Sequence, residues 1–423
     1  MSNESVSKSP FNITKLLINS WIIIPVLIYL KVVNDWAVNI PMKDDYEVIL
    51  DFLNHFKNAA FGEKIQLLFS QCNEHRILSS RLVYVLYYVL TGTANFKVFV
   101  IIANLQLVII WALLTYIIKQ LEPRYWAMLS LIAGFLIFDL SNYENSIMAM
   151  AGMQNFGVIA LFMATLYFFS QDKKYYLALG AFFEFMTIFS SGNGMVGAFF
   201  VALYCLLCGS KMQKIVSVST LLVFVPLYFI GYHQPPNHVQ PTFDIAKSIS
   251  FFFSMIGSHF AFGETTNTDN ANIVGGFFLL LTISLLPYSK TMFKDKKLML
   301  LLTVLCFILA SMATTALFRA NMEGIPYYSS RYLIYSHIFM AVTLIVVVQK
   351  FKVKPAGLWV SVAIMTLITL NSYKNNYNYG EVGFERENQR LINRPYYHPD
   401  LPKAQKIADE SCTLDIYCIQ DEK

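Results

Sequence analysis

The stretch FKVFVIIANLQLVIIWALLTYII, residues 96–118, carries one charge in twenty-three positions. As an α-helix it extends about 34 Å, slightly more than the roughly 30 Å hydrocarbon core of a bilayer. A helix is the natural solution there, because it hydrogen-bonds every backbone group internally where no water is available. Similar runs recur along the chain: Leu16–Val38, Trp126–Leu140, Phe156–Ser170, Tyr176–Phe189, Met195–Gly209, Ile215–Tyr232, Ile273–Pro287, Leu298–Phe318, Tyr332–Val348 and Ala356–Leu370. The sequence therefore predicts an all-α polytopic membrane bundle of about eleven transmembrane helices. Of 423 residues, 56% are hydrophobic and 14% charged, against roughly 25% charged in soluble domains. No soluble core absorbs that surplus.

The charged residues define a topology. The formal charge is +5, but the Lys and Arg residues sit in short clusters between apolar runs and not along one face. That pattern argues for membrane orientation and against a nucleic-acid partner. Alternate loops contain Lys119/Arg124, Lys173/Lys174, Lys211/Lys214, Lys290/Lys294/Lys296/Lys297 and Lys350/Lys352/Lys354, thirteen basic residues against three in the short loops opposite. The bias places the N-terminus in the cytoplasm and the segment after Leu370 outside. Met1–Lys15 is polar and no small-x-small cleavage site follows Leu16–Val38, so the first run is expected to remain as a signal anchor. Ile77–Thr91 is expected to dip in from the outer face and return, because a full crossing would invert the bias downstream. The expected organisation is a membrane module over 1–372, with outer stretches at 39–95 and 233–272, and a short outer tail at 373–423. Cys412 and Cys418 in that tail are candidates for a disulfide in an oxidising compartment. Cys205 and Cys208 form a CxxC pattern but read as small packing residues on a lipid-embedded helix.

Four polar clusters fall on the outer side. The first is Pro41-Met42-Lys43-Asp44-Asp45-Tyr46-Glu47, leading into an amphipathic stretch, Val48–Phe56, suited to the interface. One carboxylate of Asp44 and Asp45 is a candidate general base and the other a candidate ligand for a divalent cation such as Mg or Mn. The bland alternative is a solvated helix start, where acidic residues offset the helix dipole. The second, Gln71-Cys72-Asn73-Glu74-His75-Arg76 with Arg81, mixes groups that hold phosphates and sugar hydroxyls. The third is Asn142-Tyr143-Glu144-Asn145 with Gln154 and Asn155, whose Asn and Gln side chains match a sugar's hydroxyl pattern or simply cap helices. In the fourth, Arg319 and Arg331 flank Glu323–Ser330, and Tyr332 follows; guanidiniums beside aromatic rings at headgroup depth suit a lipid-linked phosphate or ordinary anchoring. Asn193 lies in the polar break Ser190-Ser191-Gly192-Asn193-Gly194. Glu184 sits inside an apolar run, where an ionised side chain costs at least about 2.5–3.5 kcal/mol, so it should be neutral, paired or turned to a polar cavity. No Walker loop, dinucleotide fingerprint or zinc helix motif is present.

This arrangement resembles the multi-pass glycosyltransferases of the GT-C superfamily, which use polyprenyl-phosphate-linked sugars. The resemblance rests on Asp44-Asp45 after the first span, on Asn73-Glu74-His75-Arg76 with Arg81-Leu82 and Gly92, on Tyr143-Glu144-Asn145 with Gln154, and on Arg331-Tyr332 before a late span. It implies a GT-C-like fold with interfacial helices in the first outer loop. It further implies an inverting transfer in which Asp44 or Asp45 acts as catalytic base or metal ligand. Glu74, His75, Arg76, Arg81, Tyr143, Glu144, Gln154, Asn193, Arg319, Arg331 and Tyr332 would bind substrate. The implied partners are a polyprenyl-phosphate-linked sugar donor, a glycan or lipid-linked acceptor, and membrane lipids. Many relatives append a large outer domain, whereas only a short segment follows Leu370 here. The compact serotype-converting glucosyltransferases that modify O-antigen share that economy, which implies a bacterial inner membrane with a periplasmic C-terminus. Two other classes compete: an O-antigen polymerase or ligase, relying more on outer arginines, and a transporter or flippase, for which matched halves are expected and no convincing repeat is seen.

Overall fold

The computed structural model describes residues 20–234, 244–260, 268–286, 293, 295–321, 329–351, 355–393 and 396–419. Among these the chain is helical almost throughout; their one sheet is a two-stranded hairpin, Gln71–Cys72 against His75–Arg76. Among the described residues, six helical stretches are long and apolar enough to cross a membrane: Phe96–Leu121, Trp126–Ile147, Ala149–Ser170, Lys211–Phe229, Lys296–Arg319 and Ser330–Phe351. Shorter apolar helices run over Leu78–Thr91, Tyr175–Ile188, Gly192–Cys208 and Asp269–Leu285. Large apolar side chains such as Leu86, Leu90, Leu222 and Leu280 point outward from these helices, as a lipid-facing surface requires. The protein is thus an all-α membrane bundle.

The helices approach through small residues and buried polar pairs, since lipid supplies little hydrophobic drive between them. Ile245–Gly257 and Thr268–Leu285 cross so closely that a Cβ on Gly257 would lie 2.1 Å from the Ala271 carbonyl, and one on Gly275 1.9 Å from that of Phe253. Elsewhere the Tyr29 hydroxyl reaches Asn104 and Ser146, both at 2.6 Å, and Thr282 meets Thr343 at 2.7 Å.

Two sequence expectations change. The stretch 233–272 is not simply an outer loop: Ile245–Gly257 is a helix packed against Thr268–Leu285 and Lys296–Arg319. Nor is 373–423 a separate tail. The last long helix runs unbroken over Pro355–Asn393, 39 residues, because the polar residues after Leu370 find partners inside the protein. Ser372 donates to the His259 carbonyl at 3.1 Å and Asn376 to Asp139 at 3.0 Å. Residues 396–419 then fold back onto the first loop. Lys43 N donates to Tyr397 O, Ala94 N to Ile416 O, and Asn54 to Ile407 O. Cys412 and Cys418 form a disulfide at the end of the Leu401–Thr413 helix.

Candidate functional site

Asp44 and Asp45 are neighbours with opposite fates. Asp45 is buried, 1% exposed. One of its oxygens accepts from Met42 N at 3.1 Å and the other from Met150 N at 2.8 Å. Met150 lies in the first turn of Ala149–Ser170, whose own N-cap, Met148, supplies no capping side chain. Asp45 therefore caps that helix from a distance, satisfying an orphan N–H with a carboxylate where the helix dipole is positive. Burial nonetheless dominates and pushes its carboxyl up to about 7. Fixing Asp45 in this way turns Asp44 outward, its side chain 42% exposed and one oxygen 3.8 Å from Arg331 Nη1. The preceding Lys43 takes a left-handed backbone, φ 49°, a conformation costly for a side chain of this kind. The turn is pinned by the Lys43 N–H to the Tyr397 carbonyl, 2.7 Å.

Arg331 joins Asp44 to Glu144. Its Nε lies 3.8 Å from Glu144 Oε2, while Glu144 Oε1 is 3.3 Å from Lys43 Nζ. The segments carrying these groups are latched by Glu144 N donating to Ser330 Oγ at 3.0 Å and Asn145 Nδ2 to the Arg331 carbonyl at 2.9 Å. Asn155 in turn donates to Asn145 at 2.8 Å, and Gln154 beside it is half-buried. Tyr143 accepts from Arg386 at 2.7 Å, a partner supplied by the long C-terminal helix.

The second group hangs from the hairpin turn at Asn73, which is also left-handed, φ 49°. Glu74 pairs with Arg319, the last residue of Lys296–Arg319. His75 Nε2 lies 3.6 Å from Glu74, and its Nδ1 accepts from Gly192 N at 3.2 Å. That donation fixes the ring proton of the neutral imidazole on Nε2, facing Glu74. One residue on, Asn193 donates to the Tyr335 hydroxyl at 3.1 Å and accepts from Thr314 at 3.3 Å.

Arg76 and Arg81 do not join this cluster. Arg76 donates to the carbonyls of Tyr228 at 2.7 Å, Ile230 at 2.5 Å and Phe69. Arg81 donates to those of Leu67 at 2.8 Å and Ser70 at 2.5 Å. Both satisfy carbonyls at helix C-termini, which anchors the hairpin that presents Glu74 and His75. They position the site without facing it.

Asp45 spends both oxygens on backbone N–H groups, and the Arg331 guanidinium lies between the remaining carboxylates of Asp44 and Glu144. Glu184 stands apart from the cluster, buried and accepting from Ser217 at 2.9 Å. Residues 323–328 lie outside the described residues. Lys43 and Ser330, quoted in the sequence only as members of polar stretches, contact Glu144, while Thr314 and Tyr335, which carried no sequence signal, hold Asn193. Comparison of the chain with protein-family models, curated proteins and solved structures finds no match.

Proposed function

We propose that the protein is an inverting membrane glycosyltransferase that moves a sugar from a polyprenyl-phosphate donor to a glycan or lipid-linked acceptor on the non-cytoplasmic face. The observation that supports this reading is the convergence of Asp44, Glu144 and Arg331 from segments about 100 and 190 residues apart, together with a second ionic group formed by Glu74, His75 and Arg319. In this reading the chain crosses the membrane about eleven times with its N-terminus in the cytoplasm and its C-terminal helix in the periplasm of a bacterial inner membrane, as in GT-C enzymes.

Asp44 is the base. It takes the proton of an acceptor hydroxyl; the acceptor oxygen bonds to the anomeric carbon from one face while the bond to the phosphate oxygen breaks on the other. The leaving polyprenyl phosphate keeps the electron pair, and Arg331 offsets its charge. Arg331 suits that task because both its carboxylate contacts are long, at 3.8 Å, so a phosphate can replace them with shorter charge-assisted hydrogen bonds. Arg319 with Glu74 and His75 forms the second polar group, which in this reading orients hydroxyls of sugar or acceptor. Phosphate is a good leaving group, so the protein supplies orientation and charge stabilisation and no general acid.

Purified protein should transfer sugar from a polyprenyl-phosphate donor, and Asp44→Asn should reduce the rate by about 10²-fold or more with an unchanged thermal midpoint. Full activity in Asp44→Asn would remove the assignment, and solute movement across vesicles without transfer would favour a transporter.

A further inference from the structure

Away from the outer cluster, three residues that are far apart in sequence meet inside the bundle. Asp139 follows the helix Trp126–Ile137, His259 lies in the turn Ser258–Phe260, and His337 is on Leu333–Phe351. All three are buried, and one potential ligand atom from each lies within 4.8 Å of the other two. His337 Nε2 is 4.0 Å from Asp139 Oδ1, and the two imidazole rings lie edge to face with centroids 5.0 Å apart.

His259 is the unusual member. Its backbone is fixed on three sides: its N–H donates to Ser336 Oγ at 3.2 Å, and its carbonyl accepts from Ser372 at 3.1 Å and Asn376 at 3.3 Å. Yet among the described residues neither ring nitrogen has a hydrogen-bond partner. A buried imidazole with both nitrogens idle forfeits about 1–3 kcal/mol per orphaned polar atom, and here the ring is aimed at a carboxylate and a second imidazole. Asp139 has a matching deficit. Its oxygens accept from Ser141 N and Oγ and from Asn376 Nδ2, but no Lys or Arg among the described residues neutralises it. A buried carboxylate without a cation is costly.

We infer that Asp139, His259 and His337 form a binding site for a zinc-type divalent transition metal, with the Ser141 hydroxyl or a water as fourth ligand. One carboxylate and two imidazoles suit zinc and its neighbours better than magnesium or calcium, which prefer all-oxygen shells. Zinc bonds of about 2.0–2.1 Å place tetrahedral ligands roughly 3.4 Å apart, so the atoms here need only side-chain rotations to close. The surroundings are prepared for it. Asn142 Oδ1 has no partner while Asn142 Nδ2 sits 3.0 Å from His337 Nδ1. Turning that amide over places Oδ1 against a protonated Nδ1, which frees the Nε2 lone pair for a metal and gives it the outer hydrogen bond that metal-bound histidines keep. The ion would tie together the segments 126–147, 245–260 and 330–351, and through Asn376 the last helix.

The site is independent of the sugar-transfer reading, and its test needs no activity. Untagged full-length protein in detergent, stripped with chelator, is titrated with zinc and with cobalt as a spectroscopic substitute. The expected result is one ion per chain at sub-micromolar affinity, visible cobalt bands of a tetrahedral site and a raised thermal midpoint. His259→Gln and Asp139→Asn should each weaken uptake at least tenfold, and His259→Gln should leave the metal-free midpoint within a degree or two. Wild-type protein that takes up no stoichiometric metal would overturn the assignment, as would uptake and cobalt bands unchanged in both variants.

Discussion

Replacing Asp45 by Asn should change how stability depends on pH. Burial raises the Asp45 carboxyl from 3.8 to about 7, so between those values the folded protein holds a proton that the unfolded chain has released. The folded state then binds more protons, and stability must fall as pH rises through this window. At about 1.4 kcal/mol per unit, the loss amounts to about 4 kcal/mol between pH 4 and pH 7, and it is complete above the folded value. Asn does not titrate. It keeps one acceptor oxygen for Met42 N or Met150 N and leaves the other amide facing an NH2 group, a fixed penalty of about 1–3 kcal/mol. The variant should therefore be less stable than wild type at pH 5 and should draw level or overtake it at pH 8. Thermal unfolding of both proteins in the same detergent, followed by tryptophan fluorescence at pH 5, 6.5 and 8, measures the crossover. A midpoint difference independent of pH would refute the reasoning. So would a wild type that gains on the variant as pH rises, because that would mean the two backbone amides and the helix dipole outweigh desolvation and keep the carboxylate ionised.

The arginines divide by what they touch. Arg76→Gln strands three carbonyls at helix ends and should cost several kcal/mol, seen as a lowered thermal midpoint and poor yield. Arg331→Gln loses only contacts at 3.8 Å or longer, so its midpoint should hold while the KM for the polyprenyl-phosphate donor rises about tenfold or more. Gly275→Val should abolish folding of the hairpin between Ile245–Gly257 and Thr268–Leu285, since even a Cβ at 275 meets the Phe253 carbonyl at 1.9 Å; an unchanged midpoint would contradict the close crossing. Cys412→Ser opens a six-residue link and should destabilise the 401–419 segment by about 2 kcal/mol, read as earlier proteolysis there with the bundle intact.

The membrane helices were legible because hydropathy over twenty residues has one physical cause, the absence of water for backbone groups. Residues 96–118 needed nothing else. The helix Pro355–Asn393 defeated the same reasoning beyond Leu370, since its later half is stabilised by Asn376, Ser372 and Arg386 meeting Asp139, His259 and Tyr143, and hydropathy does not register partners. The candidate site divides on similar lines. Residue type had singled out Asp44, Glu74, His75, Glu144, Arg319 and Arg331, which the structure pairs in two ionic groups. It could not distinguish a guanidinium that faces carboxylates from one that closes a helix end, because Arg76 and Arg331 differ in partners that only the fold brings near. Nor could it separate Asp44 from Asp45. Adjacent residues in a turn point to different sides, and one of the two backbone amides that hold Asp45 belongs to a helix about a hundred residues away. In each of these cases the deciding fact is where an unsatisfied backbone group sits, and such groups are satisfied only once the whole chain has folded. That also explains why Lys43 and Asn73 adopt left-handed backbone next to Asp44 and Glu74: the strain at each turn is offset by the bonds that hold its neighbours, and it leaves one carboxylate of each loop facing an arginine from a distant helix end.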